Sequence, residues 1–138
     1  MDWAAITNEL EGLLKLRSIP FGMKMFENVA DMEAIPRIRR PDSVHTLDQI
    51  VGQASRLGRT VGITADDLVG AQCRAVGGLG KAKTPEWMSG KHMVGVWFSD
   101  DEGAAEHQAA MHCVEDGIYE ALAVAPISSG RLDPPDIV

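Results

Sequence analysis

The densest group of side chains able to bind a metal or act as nucleophiles lies near residue 110. His112 and Cys113 are adjacent, and His107 precedes them on the same predicted helix. Cys73 supplies a second thiol from another part of the chain. Imidazole nitrogen and thiolate sulfur are ligands that zinc and iron accept in proteins. The pattern therefore indicates a metal site formed by Cys73, His112 and Cys113 as one interpretation of this group.

The spacing of these residues favours a second interpretation, in which they are structural. His107 and His112 do not stand at the i, i+4 spacing of a zincin helix, so they do not share one helix face. Further ligands from His45 or His92 would be needed to complete a metal site. Cys73 falls late in its predicted helix, where the helix dipole opposes a thiolate. Buried cysteines and surface histidines would give the same pattern.

Two other motifs have chemical and structural interpretations. Asp66 and Asp67 are adjacent carboxylates suited to acid–base work, but they follow Thr64 at a predicted helix start, where capping explains both. The glycine-rich residues 77–81 have the composition of a phosphate loop. They follow a helix instead of preceding one, and no serine or threonine follows Lys81. We therefore expect a helix stop at Gly77.

The elements that must position these residues alternate along the chain. Apolar and β-branched runs predict four strands, at Phe21–Phe26, Thr60–Thr64, His92–Phe98 and Ile118–Ala125. Helical spacing and capping residues predict helices at Trp3–Leu16, from Thr46 to Gly58, at Ala65–Val76, from Pro85 to Gly90, and from Ser99 to Asp116. This order predicts one α/β domain over residues 1–138, with a mixed or mostly parallel sheet flanked by helices.

Open α/β sheets bind ligands outside the carboxyl ends of their strands. We expect a small-ligand pocket there, close to the central strands. The predicted lining residues are Met23, Met25, Gly70, Cys73, Gly77, Gly78 and Trp97.

Three segments resemble blocks of the DUF169 family, a group of uncharacterised prokaryotic proteins. Leu16 to Lys24, with Ile19-Pro20-Phe21-Gly22-Met23-Lys24, is similar to its opening strand. Residues 57–68, with Val61, Ile63-Thr64 and Asp66-Asp67-Leu68, resemble its central block. Residues 123–127, followed by 133–138, resemble a later block that ends in Pro-Asp-Ile-Val. The resemblance extends from about Leu13 over nearly the whole chain.

The family pattern and this chain differ at two places. Family members commonly carry cysteines near the start of the helix that holds Gln49 and just after Leu68. Here the neighbouring residues are Asp48 and Val69-Gly70, and Cys73 is displaced. The resemblance therefore implies no metal role for that pair of positions in this chain.

The second difference concerns length, because the family domain usually continues beyond the last block. The chain resembles the N-terminal portion of the family, and Ile137–Val138 read as the first residues of a strand. A strand without ladder neighbours exposes unpaired backbone groups and an apolar edge. We expect a protein partner, either a second copy or a separate subunit, to cover it.

Composition narrows the function classes. The 138 residues carry a formal charge of −7, which argues against general nucleic-acid binding. The one basic cluster, Arg37, Arg39 and Arg40, lies between two prolines and is read either as a solvated loop or as an anion contact. We see no signal peptide and no apolar run of membrane-spanning length. Two cysteines are too few for a disulfide framework, which is typical of the cytoplasm.

Two functional hypotheses remain open. The first, which we favour, is a non-catalytic subunit of a larger assembly that binds a small ligand or another protein. The second is a metal- or thiol-dependent enzyme or redox subunit that uses Cys73, His112 and Cys113. The sequence indicates neither a cofactor nor a ligand identity.

Overall fold

The computed structural model describes all residues 1–138, and they form two compact units. The first unit combines Met1–Val69 with Tyr119–Val138, and the second is Gly70–Ile118. The predicted α/β class is confirmed as a mixture of helices with one small sheet. The prediction of a mostly parallel sheet is wrong, because all pairing within the sheet is antiparallel. One domain over residues 1–138 stays a prediction.

All three strands belong to the first unit. Its elements are α1 (Trp3–Leu14), β1 (Phe21–Phe26), α2 (Val29–Glu33), α3 (Leu47–Leu57), β2 (Val61–Thr64) and β3 (Ala121–Pro126). The second unit contains α4 (Ala71–Val76), α5 (Pro85–Met88) and α6 (Asp101–Ala110). Short 3₁₀ turns occupy Ala65–Asp67, Lys91–Met93 and Ile127–Ser129.

The ends of α3 show why local sequence predicts it well. At its start the side chain of Gln49 accepts a hydrogen bond from the backbone N–H of Thr46, at 2.9 Å. At its end Gly58 adopts φ +65, a left-handed conformation that glycine reaches without a Cβ clash. Ile50 and Ala54 face the core and are buried. The sequence predicted all three features of α3, namely its N-terminal cap, its glycine stop and its apolar face.

β3 is the central strand of the sheet, in the order β1–β3–β2. It runs antiparallel to both neighbours, with Val124 opposite Met23 on one side and Val61 on the other. β1 and β2 therefore point the same way, as strands joined through helices do. They are not neighbours, because β3 lies between them, and for this reason the predicted parallel pairing does not occur.

Both outer sides of the sheet carry additional backbone pairing. Beside β1, the N–H of Met23 donates to the carbonyl of Ile137 at 2.9 Å. Beside β2, the N–H of Gly62 donates to the carbonyl of Arg39, also at 2.9 Å. Such pairing covers edges that would otherwise offer unpaired backbone groups to another chain.

The core of the first unit forms around β3, whose six residues are all buried. A cluster of buried side chains on this strand's face comprises Met32, Ala121, Ala123, Ala125 and Leu132. Small residues on the central strand let neighbouring elements approach closely.

Close packing also occurs on the outer strand β2. At Gly62 of β2, an added Cβ would lie 2.5 Å from atoms of both Ile38 and Met32. This glycine is therefore required by close packing.

The predicted strand at His92–Phe98 is wrong. Its backbone turns on itself, because the N–H groups of Val96, Trp97 and Phe98 all donate to the carbonyl of Met93. Gly95, at φ +79, allows this tight turn. The apolar run therefore satisfies its hydrogen bonds locally instead of joining a ladder, and Trp97 is 79% exposed.

Two predicted helices are shorter than expected. The helix expected at Ala65–Val76 is interrupted at Gly70, whose φ is +77, so that a 3₁₀ turn precedes α4. α6 begins after Asp100, not Ser99, because the Asp100 carboxylate accepts a hydrogen bond from the Gly103 N–H at 2.8 Å. It ends at Ala110, well before Asp116.

Candidate functional site

A surface groove in the second unit is the best-formed concave site on this part of the chain. We call it the Trp87 groove, and its volume is about 480 Å³. Its surface is mostly apolar, with an amide, a hydroxyl, a carboxylate and an imidazole among the lining side chains. The lining residues are Gly70, Ala71, Gln72, Thr84, Glu86, Trp87 and His92. Small-molecule sites commonly combine apolar walls with a few polar groups in this way.

The start of α5 positions Trp87. Thr84 precedes the helix, and its hydroxyl oxygen accepts a hydrogen bond from the backbone N–H of Trp87 at 3.2 Å. Pro85 occupies the first helical position, where its missing N–H costs nothing. This tight start turns the indole inward, so that Trp87 is only 4% exposed. It packs in an apolar cluster with Ala75 and Ala82.

α6 fixes the other side of Trp87. Gln108 is only 2% exposed, and its Nε2 donates to the backbone carbonyl of Trp87 at 2.9 Å. Gly90, which follows α5, lies so close to α6 that an added Cβ would be 2.5 Å from the carbonyl oxygen of Ala104. The two helices therefore pack closely together at Trp87.

Two buried polar atoms at this contact make no hydrogen bond within the chain. They are the indole Nε1 of Trp87, a donor, and Oε1 of Gln108, an acceptor. A buried polar group without a partner costs about 1–3 kcal/mol, and such groups are rare in folded proteins. The Trp87 groove thus has an unused hydrogen-bond donor in one of its own lining residues.

The residues predicted to line one pocket are distributed over both units. Met23 and Met25 are half-buried on β1 of the first unit. Of those in the second unit, Gly70 lines the Trp87 groove, and Trp97 lies in a shallower groove of about 350 Å³ with Met93, Phe98 and His107. The predicted pocket as a whole stays a prediction.

Gly77 and Gly78 have structural roles at the end of α4. Gly77 is the C-cap residue of the helix. Gly78 is buried at φ +66, and an added Cβ would lie 2.8 Å from the carbonyl oxygen of Glu115. The helix stop that the sequence predicts at Gly77 is present in the structure.

No three histidine, cysteine, aspartate or glutamate side chains converge in a manner that would hold a metal ion. Cys73 is half-buried on α4, and Cys113 packs against the Trp87 cluster. His112 is exposed. The metal assignment of Cys73, His112 and Cys113 stays a prediction without a geometric site to support it.

The adjacent aspartates and the basic cluster meet in the first unit. Asp67 accepts a hydrogen bond from the backbone N–H of Thr64 at 2.7 Å, which is the capping role that the sequence indicated. The same carboxylate forms an ion pair with Arg40, which also pairs with Glu33 at 3.2 Å. Arg40 is therefore engaged within the chain.

Sequence reasoning missed two residues of the Trp87 groove's framework. Trp87 was only one residue of the helix predicted from Pro85 to Gly90, and Gln108 was not singled out within the helix predicted from Ser99 to Asp116. The available signal was a large aromatic residue three positions after the capping Thr84, since the cap turns such a residue inward.

The family model DUF169, described as "Uncharacterised ArCR", matches residues 9–138 of this chain. The chain therefore belongs to the DUF169 family, as its motifs suggested. No match was found among curated proteins or among solved structures.

None of the helices has both the length and the apolar character needed to cross a membrane.

Proposed function

We propose that this protein is a non-catalytic binding subunit whose ligand is a small molecule held in the Trp87 groove. The observation that carries the proposal is the unpartnered indole Nε1 of a residue that lines the groove. A ligand that presents an acceptor oxygen or nitrogen would pair with this donor and offset its desolvation cost. Nε1 is sealed from water in this conformation, so the ligand enters with a movement of lining side chains.

The groove's chemistry describes the ligand class. Its apolar walls and the Trp87 ring suit a planar, mainly apolar body. Gln72, Glu86 and His92 are exposed at the groove and supply polar contacts at the ligand's outer edge. We propose a small heteroaromatic carbonyl compound as the ligand class.

The proposal extends to partners and location. Two cysteines that form no disulfide are typical of a reducing compartment, which supports a cytoplasmic location. A protein partner beside Ile137 and Val138, either a second copy or a separate subunit, remains part of the proposal. The backbone of Ile137 pairs with Met23, but the two residues are 48% and 65% exposed. If the partner is a second copy, hydrogen exchange at these two residues should slow when the protein is concentrated, and unchanged exchange would argue against a second copy at this position.

The ligand test observes the indole N–H directly. Uniformly ¹⁵N-labelled protein has three tryptophan indole signals, from Trp3, Trp87 and Trp97. Titration with a library of pyridine and pyridone carboxamides should move the Trp87 signal and leave the other two in place. Trp87→Phe keeps an aromatic ring but removes the donor, and it should weaken binding about tenfold.

The matched control is Met88→Ala, which changes the next residue of α5 but not the lining of the groove. This variant should bind the same compounds as the wild type. Hits that move Trp3 or Trp97 alone, or that bind Trp87→Phe unchanged, would contradict the proposal.

The enzyme alternative has its own measurement. Elemental analysis of protein made without an affinity tag should find no stoichiometric zinc or iron. One bound metal per chain, lost on Cys73→Ser and Cys113→Ser, would favour the metal-dependent alternative instead.

A further inference from the structure

Residues Val96 and Trp97 form an exposed apolar tip on the second unit. Val96 is 71% exposed and Trp97 is 79% exposed. The tip is not a loose loop, because three consecutive N–H groups donate to the Met93 carbonyl and Gly95 donates to the carbonyl of Phe98 at 2.8 Å. A fixed backbone that presents an indole to water is typical of an interface anchor.

Carboxylates flank this tip. They are exposed at the start and along the first turns of α6 and form no ion pair within the chain: Asp100, Asp101, Glu102 and Glu106. The Gly103 N–H, with further help from the Ser99 hydroxyl, holds the pKa of Asp100 below its ordinary value. We call Val96, Trp97 and these four residues the acidic tip. Its charge repels anionic lipid and nucleic acid and favours a basic protein surface.

A basic apolar groove of matching chemistry lies on the first unit, along α3. Its volume is about 750 Å³, and Leu57 lines it at 60% exposure. Arg56 and Arg59 also line it, are exposed, and form no ion pair within the chain. Asp48 is the one carboxylate among its lining residues.

The segment between α1 and β1 passes close to the end of α3. The N–H of Ile19 donates to the carbonyl of Ser55 at 2.8 Å, so the chain after α1 runs beside the end of α3. Leu16 is three residues earlier, hence within about 10 Å of that contact. This segment adds the exposed side chains of Leu16 and Arg17, and Arg17 forms no ion pair within the chain. We call this segment and the α3 groove together the basic leucine surface.

We propose that the acidic tip of one copy of this chain docks on the basic leucine surface of a second copy, with Trp97 seated against Leu57. The two surfaces are complementary in apolar character and in charge. Each has an exposed apolar centre, and the unpaired charges around it are negative on the acidic tip and positive on the basic leucine surface. The two surfaces differ, so each contact is head-to-tail and joins the acidic tip of one copy to the basic leucine surface of another. Such contacts form closed rings or open chains.

The proposal predicts self-association by the full chain. Sedimentation velocity from low to high micromolar concentration should show a rise in mass that Trp97→Ala weakens at least tenfold. Leu57→Glu should weaken it comparably. Val44→Ala is the control, because Val44 is 59% exposed but belongs to neither surface. Both test residues are exposed, and circular dichroism should show wild-type thermal unfolding for each variant.

Mixing the two defective chains tests the head-to-tail geometry. Trp97→Ala retains an intact basic leucine surface, and Leu57→Glu retains an intact acidic tip. Each alone should be monomeric, whereas the mixture should form a one-to-one complex. Added salt should weaken this complex, because part of the attraction is between exposed charges.

Several results would overturn the proposal. These are a wild type that stays monomeric at the highest concentration, association that survives Trp97→Ala, or no complex in the mixture. Binding of the wild type, but not of Trp97→Ala, to vesicles of anionic phospholipid would show that the tip meets a membrane instead. The Trp87 groove contributes no residue to either surface, so this outcome is independent of the ligand proposal.

Discussion

The two units of this protein satisfy their polar groups in different ways. In the first unit, strand ladders extend on both sides of β3, and one buried side-chain atom, Oγ1 of Thr46, makes no hydrogen bond within the chain. In the second unit the backbone is arranged in short helices and turns, and Trp87, Gln108 and Asp116 each leave a buried polar atom unpaired. Groups without internal partners are available for partners from outside, so the second unit is where we expect binding.

A buried charge on the central strand should produce the largest effect. Ala123 is fully buried on β3 between β1 and β2. Ala123→Asp places an unpaired carboxylate there and should cost about 4 kcal/mol or more of folding free energy. Urea unfolding followed by circular dichroism would measure it. Ala109→Asp, on the exposed side of α6, should change stability little. Equal losses of stability in the two variants would contradict the prediction that burial on β3 causes the effect.

The second unit depends on close packing at Gly90. Its φ is +67, and an added Cβ would be 2.5 Å from the Ala104 carbonyl oxygen. Gly90→Ala should destabilise the protein by about 2–3 kcal/mol, because backbone strain adds to a clash that no side chain can relieve. Gly95 has a similar φ of +79 but open space around it. Gly95→Ala should therefore cost only about 1 kcal/mol. The difference in unfolding free energy between the two variants then measures the contribution of close packing at Gly90.

Two substitutions that nearly preserve side-chain shape compare the stability cost of removing a buried polar group that has a hydrogen-bond partner with the cost of removing one that leaves an atom unpaired. Thr60→Val in the first unit leaves the donor of Arg131 without its partner and should cost about 1–2 kcal/mol. Gln108→Met in the second unit should cost less than about 1 kcal/mol, because it also removes an acceptor that had no partner. Urea midpoints in the opposite order would contradict the comparison of the two units.

The smallest expected effect is on pH dependence, and it concerns one carboxylate in each unit. The indole of Trp3, followed by the N-terminal amino group, lowers the pKa of Asp133, and the Gly103 N–H lowers the pKa of Asp100. A carboxyl group with a lowered folded-state pKa stabilises the fold above its unfolded pKa. That contribution is lost as the pH falls through the folded pKa.

Wild-type stability should therefore decline below the ordinary aspartate value of 3.8. Asp133→Asn and Asp100→Asn should each flatten this decline slightly, since both carboxylates are exposed and screened. Urea midpoints from pH 5 to pH 2 would measure the change. Because asparagine is also a competent helix cap, the Asp100→Asn variant tests charge alone. A steeper decline in either variant would contradict the assignment.

Local signals in the sequence predicted much of the first unit. The Thr46 cap, the Gly58 stop and the alternation at Phe21–Phe26 act over a few residues, and the structure has all three elements. The position of β3 between β1 and β2 is a long-range choice that no local pattern encodes. The parallel sheet was predicted wrongly for this reason.

The second unit was harder to predict, because its backbone partners are unusual. An apolar run such as Met93 to Phe98 is normally a strand, but here one carbonyl, that of Met93, accepts from three N–H groups. The role of Trp87 depends on its contact with Gln108, and that contact joins two helices far apart in sequence. Binding residues of this kind become visible only when the tertiary contacts are known.

The late position of β3 in the chain has a consequence for synthesis on the ribosome. β1 and β2 are both translated long before Ala121, and neither can form its ladder until residues 121–126 have emerged. All of Gly70–Ile118 leaves the exit tunnel during that delay. The nascent polypeptide must therefore keep two strands from wrong associations while residues 70–118 are made, because both strands depend on pairing with a distant part of the chain.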